Sequence, residues 1–238
     1  MSFLVAVYVN EGIVLASDRR STYTRTESIN GFTVQKIGIH VTNSTDKTFL
    51  CPNGAGISTC GDASLQGKPI TGFIQDMIHF KIKEETSVKE IPQIIIDYFS
   101  GFAVIPNVHF LVAGYATDED SIQNQKLYKV VLSSGRKTIE EIDTANQGAV
   151  WDGEVTTLSR ITQDVALLQN GSYVNFPHEE ILFTHFTLQD AVDFARFAVE
   201  TTINTMRFKN VIETVGGAVD ILVITPKETK WLQKAELH

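Results

Sequence analysis

The sequence predicts an α+β chain built as a four-layer αββα sandwich, with helices outside and two sheets inside. Three observations carry this. The element order reads strands, two helices, strands, two helices, strands. The strand-like runs 3–9 and 218–225 are apolar almost throughout and lack the polar alternation of a half-exposed antiparallel sheet, so both of their faces need cover. The helical segments are apolar along one stripe only. Such elements bury themselves best as stacked layers, and a two-layer α+β domain is the plainer alternative.

Residues 3–9 are rich in β-branched and aromatic types, Asn10-Glu11-Gly12 forms a turn, and 13–16 is a second apolar run, which together read as a β-hairpin. The polar stretch 17–31 reads as loop. Residues 32–41 and 48–51 read as a second strand pair, parted by the turn-formers Asn43-Ser44-Thr45-Asp46. A glycine-rich strand-like segment, 54–61, runs into Asp62-Ala63-Ser64. Leu65, Ile70, Phe73, Ile74, Met77, Ile78 and Ile82 then recur at mostly three- and four-residue intervals and predict an amphipathic helix. Ser87 with Glu90 is a capping-box pattern opening a second helix through Ile91, Ile94, Ile95 and Tyr98. Strands are expected over 108–115 and 127–132. After Trp151-Asp152-Gly153, a helical pattern carries Val155, Leu158, Ile161, Val165 and Leu168. Thr187 precedes a second amphipathic run with Leu188, Ala191, Val192, Ala195, Val199 and Met206 on one face. Strands over 218–225 and 229–232 complete the chain.

No linker, low-complexity block or repeat divides the 238 residues, so one domain over 1–238 is the expectation. Twenty basic against 28 acidic residues give a net charge of −8, which argues against nucleic-acid binding, an affinity that comes mainly from neutralising phosphates. The same balance disfavours an anionic membrane surface. No stretch reaches the ~18 apolar residues of a membrane span. The start Met1-Ser2-Phe3 has no basic region ahead of its apolar run and is not read as a signal peptide. Cys51 and Cys60 are read as reduced thiols of a cytoplasmic protein, since C-x8-C is no zinc spacing.

The N-terminus is the most informative segment for chemistry. Ser2 directly precedes a buried strand. Removal of Met1 would leave one residue with both a hydroxyl nucleophile and a free α-amine, whose pKa of about 8 suits a general base. Asp18 closes the second strand of the hairpin and returns to the end of the sheet that holds Ser2. Lys36 or Lys47 would join them. A lysine there stabilises an alkoxide and keeps the amine neutral by like-charge repulsion, and Asp18 would hold that lysine protonated. Taken singly, each lysine is as readily a surface residue, and many chains start Met-Ser for no catalytic reason.

Residues 2–22, Thr33-Val34-Gln35-Lys36-Ile37, Gly61-Asp62-Ala63 and Val215-Gly216-Gly217-Ala218-Val219-Asp220-Ile221 together resemble the proteasome β-type branch of the N-terminal-nucleophile hydrolases, in the style of the bacterial HslV and Anbu kinds. The resemblance covers most of the chain, the middle third by element order only. It implies the αββα fold of that class, peptide-bond hydrolysis of the threonine type, and a homo-oligomeric ring. It assigns Ser2 as nucleophile, Asp18 as acidic support, Lys36 in preference to Lys47 as the lysine, and the backbone N–H of Ser58 as oxyanion donor. Serine stands where the family has threonine, and Ser58 where it has glycine. The family's supporting serine and aspartate have no clear counterparts, although Gln147, Gly148, Thr202 and Asn204 lie near in order.

Other signals carry less. Gly54-Ala55-Gly56-Ile57-Ser58-Thr59 has threonine in place of the third glycine of a dinucleotide fingerprint and lacks the βαβ context, so no cofactor is expected. The scattered histidines show no ligand spacing, so no metal is expected; Cys60 is read as a small buried thiol, and Trp151 and Trp231 as core anchors. The sequence thus points to a hydrolase of peptide or protein substrates acting through Ser2. A non-catalytic ring-forming subunit and a small-amide acylase of the same fold are the alternatives. Substrate preference, subunit number and any ATPase partner are not written in it.

Overall fold

The computed structural model describes residues 2–30, 32–117, 123–176 and 179–236. Strand β1 (Phe3–Val9) turns tightly into β2 (Gly12–Asp18), and β3 (Ser21–Ile29) pairs with β4 (Phe32–Thr42) as a separate ribbon. Then come β5 (Thr48–Leu50), β6 (Gly56–Gly61), a short ribbon of β7 (Ser64–Leu65) and β8 (Lys68–Pro69), and helices α1 (Ile70–Lys81) and α2 (Ile91–Ser100). Strands β9 (Val108–Thr117), β10 (Gln123–Leu132), β11 (Lys137–Ile142) and β12 (Gly148–Gly153) lead to α3 (Thr156–Thr162). A ribbon of β13 (Val165–Gln169) and β14 (Ser172–Phe176) follows, then α4 (Leu188–Arg207), β15 (Val219–Ile224) and β16 (Thr229–Gln233).

The chain is mixed α/β, with two five-stranded sheets ordered β12-β1-β2-β15-β16 and β11-β10-β9-β6-β5. Every neighbouring pair in them is antiparallel. Alternation along the strands divides the core. From β1, Phe3, Val5, Val7 and Val9 join Ala191, Ala195, Ala198 and Val199 of α4. Leu4, Ala6 and Tyr8, on the opposite face, join Cys60, Leu111, Ala113 and Leu127 of the other sheet. In that sheet Ile57, Phe110 and Val112 turn the other way, onto Ile74 and Met77 of α1 and Ile91 and Ile95 of α2. Strands with a core on both faces have no solvent side, and this is why their sequence does not alternate.

Several expectations are corrected here. Residues 32–41 and 48–51 are strands but not a pair: β4 pairs with β3, and β5 with β6 in the second large sheet. Residues 17–31 are not loop: Ser21–Ile29 forms β3, a partly exposed strand that among the described residues pairs with β4 alone. The helical pattern of 155–168 stops at Thr162, and Val165 and Leu168 belong to β13. Asn170 and Gly171, at φ +50° and +81°, form the hairpin turn between β13 and β14, and a two-residue turn of that hand needs positive φ at both positions. The capping box expected at Ser87 is half made: the Ser87 N–H donates to Glu90 Oε2 at 2.9 Å, but α2 begins only at Ile91 and its N-cap, Glu90, makes no side-chain cap bond. A complete capping box of Thr187 and Asp190 opens α4. No helix among the described residues is long and apolar enough to cross a membrane.

Candidate active site

The site lies where β1 begins and β2 ends. Register pairs Leu4 with Ser17, which brings Ser2 beside the end of β2. Asp18, fully buried there, uses both carboxylate oxygens. Its Oδ1 accepts from the Phe3 N–H at 3.0 Å and from Lys47 Nζ at 2.7 Å, while Oδ2 accepts from the N–H groups of Arg20 at 3.0 Å and Gly216 at 2.9 Å. A buried charge persists when paired and hydrogen-bonded in this way. Because Phe3 N belongs to the peptide that follows Ser2, Asp18 fixes the nucleophile candidate and the lysine with one oxygen.

The other side of that peptide is held as well. The Ser2 carbonyl accepts from the Glu154 N–H at 2.8 Å. The approach requires glycine before Glu154: Gly153 has φ +91°, and a Cβ on it would stand 1.9 Å from the Ser2 oxygen.

Lys47 is buried immediately ahead of β5, and its carbonyl accepts from the Thr59 N–H at 2.8 Å. Burial pushes its pKa below the ordinary lysine value, against the opposing pull of the Asp18 charge and hydrogen bond. The segment ahead of it is stapled by Arg19, whose buried guanidinium donates to Asp46 Oδ1 and Asp220 Oδ2, both at 2.7 Å, and to the Ser44 carbonyl at 3.0 Å.

Ser2, Ser21, Asp46, Lys47, Thr59, Cys60 and Gly61 line a cleft of about 20 Å³, room for about one water-sized group. Gly61 supplies its backbone. In an antiparallel ladder, N–H groups of alternate residues point to the same edge of the strand. Thr59 donates toward Lys47, so the Gly61 N–H points to the same edge, beyond the end of β5. Glycine is required: its φ is +116°, and a Cβ would meet the Asn107 carbonyl oxygen at 2.3 Å.

Of the residues singled out from sequence, Ser2 and Asp18 meet here and two do not. Lys36 lies on the exposed ribbon opposite Arg25, its Nζ 3.1 Å from Glu27 Oε2; Lys47 occupies the place expected of it. Ser58 is interior to β6, between Thr48 of β5 and Leu111 of β9, and its hydroxyl lies 2.8 Å from that of Thr48. Its backbone belongs to the sheet, so the strand-end amide facing the cleft is that of Gly61. The signal in the sequence was the pair Gly61-Asp62, a glycine closing a strand.

Nor do the four support candidates reach the cleft. Gln147 binds the Asn10 N–H at 2.8 Å and the Phe183 carbonyl at 3.0 Å, and Gly148 pairs with Tyr8, both at the far end of β1. Thr202 donates to the Ala198 carbonyl at 2.8 Å inside α4, and Asn204 is exposed on that helix. Met1 lies outside the described residues.

Beside the cleft stands a group no sequence spacing announced. Asp152 of β12 accepts from Lys129 Nζ at 2.8 Å and has His109 Nδ1 at 3.0 Å. Although burial works the other way, the hydrogen bonds from His109, Lys129 and the Gly153 N–H hold its carboxyl well below the usual range. Burial pushes the Cys60 thiol up to about 12, with the Asp152 charge adding to it.

A hydroxyl, a buried lysine paired with a carboxylate, and an amide N–H facing one small cleft are the elements of acyl transfer: nucleophile, cation and oxyanion donor. No protein-family model and no curated relative matches the chain. Among solved structures, Anbu (ancestral beta-subunit) from Yersinia bercovieri superposes at a TM-score of 0.55 with 13% identity over 98% of this chain and 87% of that one. An Anbu (Gly-1) mutant from Hyphomicrobium sp. strain MC1 gives 0.55 and 12%, over 98% and 86%. At these identities the likeness is one of fold.

Proposed function

We propose that the chain is a proteasome-like N-terminal-nucleophile hydrolase, one domain over residues 1–238, its three core clusters layered as an αββα sandwich. The single observation that carries the reading is the convergence of Ser2, Lys47 and Gly61 on one cleft, with Asp18 bonded to both Lys47 and the peptide after Ser2. The Anbu-like fold supports it, and of the two bacterial kinds resembled it favours Anbu.

In this reading Met1 is removed and the Ser2 α-amine becomes free. The amine takes the hydroxyl proton, through the one water the cleft has room for, as Oγ attacks an amide carbonyl. Lys47 stabilises the alkoxide, and before the attack its charge keeps the amine neutral and able to accept the hydroxyl proton. The Gly61 N–H binds the oxyanion; such a donor is worth on the order of 10²–10³ in rate. The proton then passes to the leaving amine, and water hydrolyses the acyl-enzyme. Homo-oligomeric assembly and a peptide or protein substrate are parts of the same proposal.

Hydrolysis of a panel of peptides and small amides tests it. Ser2→Ala abolishes turnover and Ser2→Thr retains it; turnover surviving Ser2→Ala overturns the assignment. Small amides cleaved while peptides are spared would select the acylase reading, and an assembled wild-type protein that cleaves nothing would leave the non-catalytic one.

A further inference from the structure

We infer that Cys60, His109 and Asp152 form a binding site for a divalent transition-metal ion, Zn²⁺ being the chemical fit. This site is separate from the hydrolase reading and does not depend on it. Cys60 Sγ, a ring nitrogen of His109 and a carboxylate oxygen of Asp152 all lie within 4.8 Å of one another.

The backbone builds this meeting. Cys60 of β6 and His109 of β9 are directly opposed in their ladder, so their side chains stand on one face of the sheet. That face is the one that joins Cys60 and Leu111 to Leu4 of the other sheet. Asp152 is paired with Leu4 there and shares its side of the strand. Three ligand types from three strands and two sheets therefore converge at the open edge of the inter-sheet core.

The donor set selects the ion. Thiolate, imidazole and carboxylate are the three protein ligands of zinc, bound at about 2.0–2.3 Å, and three of them leave a fourth position for water. Tetrahedral ligands at those lengths stand roughly 3.5 Å apart, so seating the ion opens the 3.0 Å contact between His109 Nδ1 and Asp152 Oδ2 by about half an ångström and draws the Cys60 sulfur in by up to about an ångström. Asp152 Oδ1 is anchored by the Gly153 N–H at 2.7 Å, while Oδ2 carries the Lys129 ammonium. In the metal-free protein that ammonium balances the carboxylate, and a bound cation takes over its role. On binding, the Cys60 proton leaves to solvent and the thiolate enters the coordination shell. Because Cys60 also lines the cleft that holds Ser2, an occupied site places a divalent charge at its wall.

The full chain, stripped with a chelator and titrated with Co²⁺ as the spectroscopic probe, is expected to bind one equivalent and show a thiolate-to-cobalt charge-transfer band, which Zn²⁺ then displaces. Cys60→Ser loses the band and Cys51→Ala, which changes a thiol in the helix-facing core, keeps it. His109→Ala weakens cobalt binding by at least ~tenfold. Circular dichroism confirms that each variant is folded, and the wild-type titration decides the matter alone if one is not. Absence of the band at stoichiometric cobalt in the wild type overturns the assignment, as does a band that survives Cys60→Ser.

Discussion

Lys47 and Lys36 have the same chemistry and opposite surroundings. Lys47 is buried with its ammonium 2.7 Å from Asp18 Oδ1; Lys36 stands 54% exposed beside Glu27. Removing one partner of a buried pair leaves an uncompensated charge, so Lys47→Met is expected to cost about 3 kcal/mol, the low end of the range because three backbone N–H groups still serve Asp18. Lys36→Ala is expected to stay within about 0.5 kcal/mol. Urea midpoints of the two variants check both. Gly153→Ala tests the clamp on Ser2: the left-handed backbone and the 1.9 Å approach predict a loss of about 2 kcal/mol or more. Interval reasoning favoured Lys36 because it kept the spacing from Asp18 short. What decides between the lysines is burial, and burial follows from which strands join the two large sheets, a fact no interval contains.

At the scale of elements, the sequence is legible where burial imposes a period. The stripe of α4 reports the one face that packs, and the apolar runs of β1 and, Asp220 apart, of β15 report two. The β3–β4 ribbon reports nothing comparable, because a two-stranded ribbon with solvent on both sides imposes no hydrophobic alternation; Phe32 is 74% exposed. The β13 strand shows the reverse failure: Val165 and Leu168 continue a helical spacing by coincidence, and the Asn170-Gly171 turn overrides it. The cap of α4 can be measured. Thr187 Oγ1 accepts from the Asp190 N–H at 3.2 Å, and Asp190 Oδ2 accepts from the Thr187 N–H at 2.8 Å. Thr187→Ala is expected to cost about 1 kcal/mol. Hydrogen bonds from the Thr187 hydroxyl and N–H hold the Asp190 carboxyl below its ordinary pKa. The folded state therefore binds that proton more weakly than the unfolded chain does. This contribution is present above the unfolded value of about 3.9 and is lost as pH falls through the lower folded value. The stability gap between wild type and Asp190→Ala should narrow over that window when unfolding is followed from pH 5 downward.

The whole molecule joins one site to two unfinished surfaces. The cleft is built by the two sheets together: Ser2 and Asp18 come from one, while Lys47, immediately ahead of β5, and Gly61 come with the other. Agreement between sheets is what the sequence could not display, and it explains why the place of Gly61 in the cleft, as against its strand-closing pattern, and the Cys60–His109–Asp152 group emerged only in three dimensions. The ribbons β3–β4 and β13–β14, by contrast, carry exposed Phe32, Ile39, Tyr173 and Phe176, and two-stranded ribbons are marginally stable alone. The homo-oligomer proposed for this chain supplies cover for them. Native mass spectrometry should find a multiple of the chain mass, and Phe32→Asp with Tyr173→Asp should shift it toward the single chain.

The most direct test of the account is the intact mass of protein from its own cells, before and after exposure to an electrophile that captures a hydroxyl and an adjacent amine together. The account predicts a chain lacking Met1 that gains one adduct at Ser2, at a rate lowered on the order of a hundredfold or more by Lys47→Met and unchanged by Lys36→Ala. A chain that keeps Met1, or a free Ser2 that takes no adduct, would contradict it.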